Sequence, residues 1–250
     1  MHRIAKLFFI GFLVLPTGAA AAGRIALAFD DGLSSWNTLV APELARVGGV
    51  ATAYINNQRV ERGNISYADI RSLRDRYGWE IATHTYHHAN APRFVESKGL
   101  DVWLRDELDR AISGLKAQGF NPRSLAFPYN AFNDELRRAA LTRVANVRRI
   151  ERLPLAGGLR PDGTFPTAGI SLDEYAPLDL LKRWIDQAET HGQTLYLYGH
   201  ELLPDRQFVE ATVRSVSTHS LSAEQPINLP STKDQCLVPD TRQRVNTAFR

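Results

Sequence analysis

This sequence has a single cysteine, no long apolar run and no large excess of either charge. The single cysteine, Cys236, excludes a disulfide within the chain, so crosslinks do not hold this fold together. The apolar run at residues 7–15 is too short to cross a bilayer, which takes about 20 residues, and no later segment approaches that length. Because the sequence contains 30 basic and 27 acidic residues, its charge balance argues against nucleic-acid binding.

The first 22 residues have the pattern of a secretory signal peptide. Arg3 and Lys6 precede the apolar run LFFIGFLVL, and the small-residue stretch TGAAAAG follows it. We therefore expect residues 1–22 to be removed by cleavage after Ala22, with cleavage after Ala20 or Ala21 as alternatives, and the protein to be exported to a periplasm or out of the cell. An uncleaved anchor is the alternative. Loss of the two basic residues brings the mature chain closer to neutrality than the pI of 9.1 indicates.

Residues 23–205 read as one α/β domain. Short apolar runs alternate with amphipathic stretches there, which is the pattern of a parallel sheet or barrel wrapped by helices. The apolar runs are RIALAF (24–29), VATAYI (50–55), WEIATH (79–84), SLAF (124–127), ANVRRI (145–150) and TLYLYGH (194–200). Ser66 and Asp69 form a capping-box pattern that predicts the start of one of the intervening helices.

The C-terminal segment, residues 206–250, differs from the rest of the chain. It shows no sustained helical or strand period, and it is rich in polar residues and proline. This composition predicts an extended or partly disordered tail.

Chemically active side chains occur at the ends of four predicted strands. Asp30 and Asp31 follow the first strand, and His84 ends the third. Tyr129 follows the fourth strand, and His200 ends the last. The carboxyl ends of the strands carry the active site in parallel α/β barrels. The sequence therefore predicts a catalytic face at this edge of the sheet.

The stretch THTYHH has the spacing of a metal site. His84 and His88 are four residues apart and can point the same way, and imidazole is a common zinc ligand, whereas we expect His87 to flank the site. A carboxylate from another strand end would complete a site with three protein ligands and an open position. Asp30 and Asp31 point in different directions, so one can ligate metal while the other faces the attacking water. Taken alone, FDDG is more typical of an Asx turn, in which Gly32 supplies a positive φ, than of a metal site.

In order and spacing, these residues resemble the polysaccharide deacetylases of carbohydrate esterase family 4. The family's first motif, threonine-phenylalanine-aspartate-aspartate-glycine, appears here as AFDDG, with Ala28 in the threonine place. The second motif, histidine-serine/threonine-x-x-histidine, is matched in full by HTYHH. The resemblance covers roughly residues 24–203. It implies an α/β fold, a distorted (β/α) barrel of about seven parallel strands.

The first two motifs assign a metal site and a base. The resemblance implies that Asp31, His84 and His88 hold a divalent metal, most commonly Zn2+ in this family. It also implies that Asp30 is the general base that takes the proton of the attacking water. A carboxylate beside a dication is stabilised in its ionised form, which keeps it available as a base near neutral pH.

The third and fifth motifs are matched in part. In AFPYN, the resemblance implies that the Tyr129 backbone N–H helps to hold the tetrahedral oxyanion, but Ala126 stands where the family has an arginine that orients the base. In LYGH, it implies that His200 is the general acid, while Gly199 replaces a leucine that lines the acyl site. We find no match to the fourth motif, whose aspartate works with that arginine.

The function expected from these residues is that of a secreted, metal-dependent hydrolase. Its substrate would be an N-acetylated glycan of the cell envelope or an exported polysaccharide. Removal of an N-acetyl group is the main hypothesis, and removal of an O-acetyl group is the second. A deformylase or an amidase of another small amide is the alternative, since Ala126 and Gly199 depart from the family. A catalytically inactive glycan-binding protein is a third hypothesis, based on the missing arginine.

Trp36 is a candidate for stacking on a sugar ring, whereas Trp79, Trp103 and Trp184 fit core packing.

Overall fold

The computed structural model describes residues 23–149, 170–172 and 178–200 of the chain. The expected signal peptide at residues 1–22 and the expected tail at 206–250 lie outside the described residues. Within the described ranges, no helix has both the length and the apolar character that a membrane crossing requires.

Seven parallel strands form one sheet in the part of the chain that the structure describes. They are β1 (Arg24–Asp31), β2 (Thr52–Ile55), β3 (Glu80–Thr83), β4 (Ser124–Ala126), β5 (Asn146–Arg148), β6 (Ile170–Ser171) and β7 (Thr194–Gly199). Their order across the sheet is β5-β4-β3-β2-β1-β7-β6, with every neighbouring pair parallel. The predicted fold class, a distorted (β/α) barrel of about seven parallel strands, is confirmed.

Strand β1 lies in the middle of the sheet, between β2 and β7. Its residues are buried from Leu27 to Asp31, because Phe29 packs in the larger apolar core on one face and Ala28 packs against Tyr54 and Ala82 of the neighbouring strands on the other. Asp31 lies opposite Ile55 of β2, and Phe29 lies opposite Gly199 of β7. The carboxyl ends of these strands therefore meet at one edge.

Helices connect the strands and pack against the sheet. They are α1 (Ala41–Ala45), α2 (Asn57–Glu61), α3 (Tyr67–Asp75), α4 (Ala91–Lys98), α5 (Leu100–Trp103), α6 (Arg110–Ala117), α7 (Asp134–Ala140) and α8 (Leu178–Thr190). Wider π-helical turns at Trp36–Val40 and Leu104–Asp109 precede α1 and α6. A short 3-10 turn, Pro128–Asn130, follows β4.

Side-chain hydrogen bonds to the backbone cap the first turns of helices α2, α3 and α4. The predicted capping box of α3 is confirmed, because the Ser66 hydroxyl accepts from the Asp69 N–H and the Asp69 carboxylate accepts from the Ser66 N–H. Helices α2 and α4 are additions to the sequence prediction. Each begins at an asparagine cap, Asn56 or Asn90, and each is too short for apolar periodicity to reveal it.

Tryptophan and phenylalanine rings fill two core clusters on the same face of the sheet, one beside β1 and one beside β4. Phe29 stacks on Trp79 with ring centroids 5.4 Å apart, and Trp103 stacks on Phe127 at the same distance. Trp184 of α8 is also buried. The prediction that Trp79, Trp103 and Trp184 are core residues is confirmed, and this packing fixes the strands whose ends carry the polar side chains.

Candidate active site

The predicted polar residues converge at the carboxyl ends of β1, β3, β4 and β7. The backbone there is strained, because L residues with side chains rarely adopt a positive φ, and such residues concentrate at functional sites. Within the described ranges, the non-glycine residues with positive φ are Asp31 (87°), Thr85 (62°), His88 (62°), Tyr129 (60°) and Asn130 (50°). Asp31 ends β1, and the other four lie in the turns that follow β3 and β4 at this edge of the sheet.

Asp31, His84 and His88 form a triangle of metal-ligand type. Their ligand atoms all lie within 4.8 Å of one another. Asp31 Oδ1 is 3.5 Å from His84 Nε2 and 3.1 Å from His88 Nε2, so one carboxylate oxygen faces both imidazoles. The rings of the two histidines are edge to face, 4.9 Å apart. Two imidazole nitrogens and one carboxylate oxygen are a donor set that suits zinc.

His84 is held as a neutral imidazole. Its Nδ1–H donates to the carbonyl oxygen of Ala126 at 2.7 Å, which turns Nε2 toward Asp31 and fixes the tautomer that a metal needs. Burial lowers the pKa of His84 to about 4, in spite of the neighbouring Asp30 and Asp31 carboxylates. The imidazole is therefore unprotonated at neutral pH. Ala126, the position at which the family has arginine, serves the site through its backbone.

Asp31 fits a cation in two further ways. Burial acts to raise its pKa, but the contact with His88 and the charges of His84, His88 and Arg59 lower that pKa to about 2. Its Oδ1 atom is buried and has no hydrogen-bond partner of good geometry, whereas Oδ2 lies 2.9 Å from Arg59 Nη2. A buried carboxylate oxygen without a partner is costly, and a cation between it and the two imidazoles would remove that cost.

Asp30 is bound by an arginine that the sequence analysis did not identify. Arg148, at the end of β5, places Nη1 and Nη2 at 2.5 Å from the two carboxylate oxygens of Asp30. Both side chains are almost fully buried. Burial acts to raise the pKa of Asp30, but Arg148 and His84 hold it below its ordinary value. Asp30 is therefore an oriented carboxylate that stays ionised at neutral pH.

The expectation that the base lacks an orienting arginine is wrong. Arg148 lies opposite Ala126 in the β4–β5 pairing, so the guanidinium comes from the next strand and uses the space that the small side chain leaves. The rings of Tyr54 and Tyr198 lie on the guanidinium, with centroids 4.7 and 4.8 Å from Cζ. These cation–π contacts compensate part of the cost of burying the charge. Arg148 therefore orients the Asp30 carboxylate through both of its oxygens.

His200 follows β7 and lies near the same carboxylate. It is half-buried, and its charge is among the influences that lower the pKa of Asp30. Trp36 Nε1–H donates to the His200 carbonyl oxygen at 2.7 Å. Trp36 is fully buried, so this candidate for stacking on a sugar ring is ruled out. It anchors the backbone of His200 instead.

Tyr129 supplies the exposed aromatic ring at the site. It lies in the turn after β4, its side chain is 69% exposed, and its ring centroid is 4.7 Å from that of His88. The strained backbone at Tyr129 turns this ring outward beside the metal-ligand triangle. A large exposed aromatic next to a candidate active site is suited to sugar stacking.

His87 does not join the metal-ligand triangle. Glu107, which is fully buried, accepts from the His87 N–H at 2.9 Å, and its second oxygen lies 2.8 Å from His87 Nδ1. The prediction that His87 flanks the site therefore agrees with its position. Glu107 was missed because an acidic residue in an amphipathic helix has no local feature that distinguishes it from a solvated one.

Comparisons with known proteins identify the family. A family model described as polysaccharide deacetylase matches residues 17–143, just over half of the chain. This chain belongs to the polysaccharide deacetylase family. A chitin deacetylase from Arthroderma benhamiae is 30% identical over 113 residues, which are 45% of this chain and 29% of that protein. The matched region spans less than a third of that relative's length.

Solved structures share the fold of this polysaccharide deacetylase family member. A polysaccharide deacetylase from Bacillus cereus has a TM-score of 0.57 at 14% identity, with 87% of this chain and 95% of that one covered. The peptidoglycan deacetylase PdaC from Bacillus subtilis has a TM-score of 0.54 at 17% identity, with coverage of 80% and 86%. At these identities the likeness establishes the fold, and the site must be argued from its own residues.

Proposed function

We propose that this polysaccharide deacetylase family member is an exported, metal-dependent hydrolase that removes N-acetyl groups from a glycan of the cell envelope or an exported polysaccharide. The proposal rests on the observation that two adjacent carboxylates have different surroundings. Asp31 faces two imidazoles, whereas Asp30 faces a buried guanidinium. One acid is thus suited to ligate a cation and the other to move a proton.

Asp31, His84 and His88 would hold the metal, for which Zn2+ is our proposal. When bound, a divalent cation there would polarise the acetamide carbonyl and lower the pKa of water. Asp30 accepts the proton of the attacking water, and Arg148 keeps the acceptor carboxylate ionised and oriented.

The second half of the reaction needs an acid and an oxyanion donor. His200 gives a proton to the departing amine, so that water and the amide become acetate and a free amine. The Tyr129 backbone N–H is proposed to donate to the tetrahedral oxyanion, and its exposed ring to contact the sugar. Trp36 holds the backbone of His200 and so sets the position of the acid.

The substrate class rests on the relatives and on the N-terminal sequence. The matched relatives are a chitin deacetylase and a peptidoglycan deacetylase, which favours an N-acetylated glycan as the substrate here. The signal-peptide pattern of residues 1–22 supports export to a periplasm or the cell exterior.

Acetate release from N-acetylglucosamine oligomers tests the proposal. We expect the purified protein to release acetate, to lose this activity with a chelator and to regain it when Zn2+ is added. Asp30→Asn should abolish turnover while zinc content, measured by elemental analysis, stays at the level of the unaltered protein. Full activity in Asp30→Asn would refute the assignment of the base.

A second candidate is a deformylase or an amidase of another small amide. Gly199 favours it, because glycine stands next to His200 where the resemblance implies a leucine that lines the acyl site. Parallel measurement of formate and acetate release separates the two activities. An inactive glycan-binding protein is less well supported than the sequence indicated, since Arg148 provides the orienting arginine.

A further inference from the structure

The two oxygens of Asp31 have different surroundings. Oδ1 faces the Nε2 atoms of His84 and His88 and has no hydrogen-bond partner of good geometry. Oδ2 lies 2.9 Å from Arg59 Nη2, in an ion pair whose carboxylate side chain is 9% exposed. The carboxylate is therefore shared between the metal-ligand triangle on one side and a guanidinium on the other.

A buried asparagine fixes the position of Arg59. The Asn56 side chain, 1% exposed, accepts from the Arg59 N–H at 3.1 Å and so caps helix α2. Its amide group donates to the carbonyl oxygens of Thr85 and Tyr86, which lie in the loop between His84 and His88. One side chain therefore ties the helix that bears Arg59 to the loop that bears the two histidines.

We propose that Arg59 is a positioning residue that occupies one oxygen of Asp31 and leaves the other as a single-oxygen metal ligand. The inference rests on the proposed function, which places a metal at Asp31, His84 and His88. A carboxylate can ligate through one oxygen or through both. Because Arg59 holds Oδ2, only Oδ1 is available, and more of the coordination sphere stays open for water and the substrate carbonyl.

The arrangement also divides the positive charges between the neighbouring acids. Arg148 pairs with Asp30 and Arg59 pairs with Asp31, so each carboxylate has its own guanidinium. Each arginine therefore constrains one acid: Arg148 constrains the proton acceptor, and Arg59 constrains the metal ligand.

The test measures metal binding without substrate. Arg59→Gln removes the charge and the forked donor, while Arg62→Gln removes the same charge from the exposed end of the same short helix. Zn2+ affinity is measured by competition with a chromophoric chelator, and the coordination number by the visible absorption of the Co2+-loaded protein. We expect Arg59→Gln to bind Zn2+ about tenfold to a hundredfold more weakly, as is typical when the partner of a metal ligand is lost.

The Co2+ spectrum distinguishes a positioning role from a general charge effect. In Arg59→Gln, both oxygens of Asp31 are free, so we expect the absorption bands to weaken as the coordination number rises. Arg62→Gln should match the unaltered protein, and Arg59→Lys should recover part of the affinity. Unchanged affinity and spectrum in Arg59→Gln, or equal changes in both glutamine variants, would overturn the inference.

Failure of this inference can be told apart from failure of the proposed function. If Arg59→Gln changes metal binding but the unaltered protein releases no acyl group, the role of Arg59 stands and the proposed function falls. If acetate release is metal-dependent while Arg59→Gln binds metal normally, the function stands and the role of Arg59 falls. An unaltered protein that binds neither Zn2+ nor Co2+ overturns the role of Arg59.

Discussion

Replacement of Arg148 by methionine tests the buried pair at the centre of the candidate site. Methionine keeps much of the side-chain length but removes the charge and both hydrogen bonds to Asp30. Because Asp30 is only 3% exposed, its carboxylate would lose its main partner without gaining water. Removal of one partner from a buried ion pair costs about 3–5 kcal/mol. At about 2–4 °C per kcal/mol for a chain of this size, the melting temperature should fall by roughly 10 °C.

The loss of stability in Arg148→Met should depend on pH. In the unaltered protein the pKa of Asp30 lies below its ordinary value, so its stabilising contribution is present at neutral pH and is lost only in acid. Without Arg148, burial raises that pKa above the unfolded value, and stability is lost as the pH rises. The difference in unfolding free energy between the two proteins should therefore be larger at pH 8 than at pH 5.

Urea denaturation in the presence of a chelator measures this difference without a metal at the site. Arg143→Met is the matched control, because its ion pair with Asp109 is exposed and should contribute at most about 1 kcal/mol. The double variant Asp30→Asn, Arg148→Met removes both charges and should be more stable than Arg148→Met alone. A loss of under 1 kcal/mol in Arg148→Met, or a difference that does not vary with pH, would refute the reasoning.

Two further predictions concern stability. Ser66→Ala removes the N-cap of α3 and should lower the free energy of unfolding by about 1 kcal/mol in urea denaturation; an unchanged midpoint would contradict the cap. Burial lowers the pKa of His84 from 6.5 to about 4, so the metal-free protein should lose stability as the pH falls across that range, by about 3 kcal/mol in total. His84→Gln should flatten that pH dependence, and an equally steep curve in the variant would show that other groups cause it.

The sequence located the candidate site because its chemistry follows strand ends. An apolar run that stops at Asp30 and Asp31, or at His84, marks the edge of a parallel sheet, and that edge brings distant strand ends together. The α/β fold class followed from the same alternation of apolar runs and amphipathic stretches. Local sequence therefore carried most of the information about which elements meet.

Arg148 and Trp36 show what local sequence does not carry. Arg148 stands beside Arg149, and only the register of β5 against β4, with Arg148 opposite Ala126, directs a guanidinium to Asp30. Trp36 follows a catalytic-type loop, but its burial depends on packing against Phe29 and Trp79. Both residues act through contacts that form only when separate strands and helices are assembled.

The order of the strands separates the three proposed metal ligands from Arg148 and His200 along the chain. Asp31 ends β1, and His84 and His88 follow β3, so all three come from the first 88 residues and from strands that pair in chain order as β1–β2–β3. Arg148 comes 118 positions after Asp30, and β7, which completes the sheet beside β1, precedes His200. Closing a chain loop of that length costs more entropy than closing the shorter loops that join β1, β2 and β3. We therefore expect a folding chain to bring the three proposed metal ligands together before Arg148 and His200 join the site.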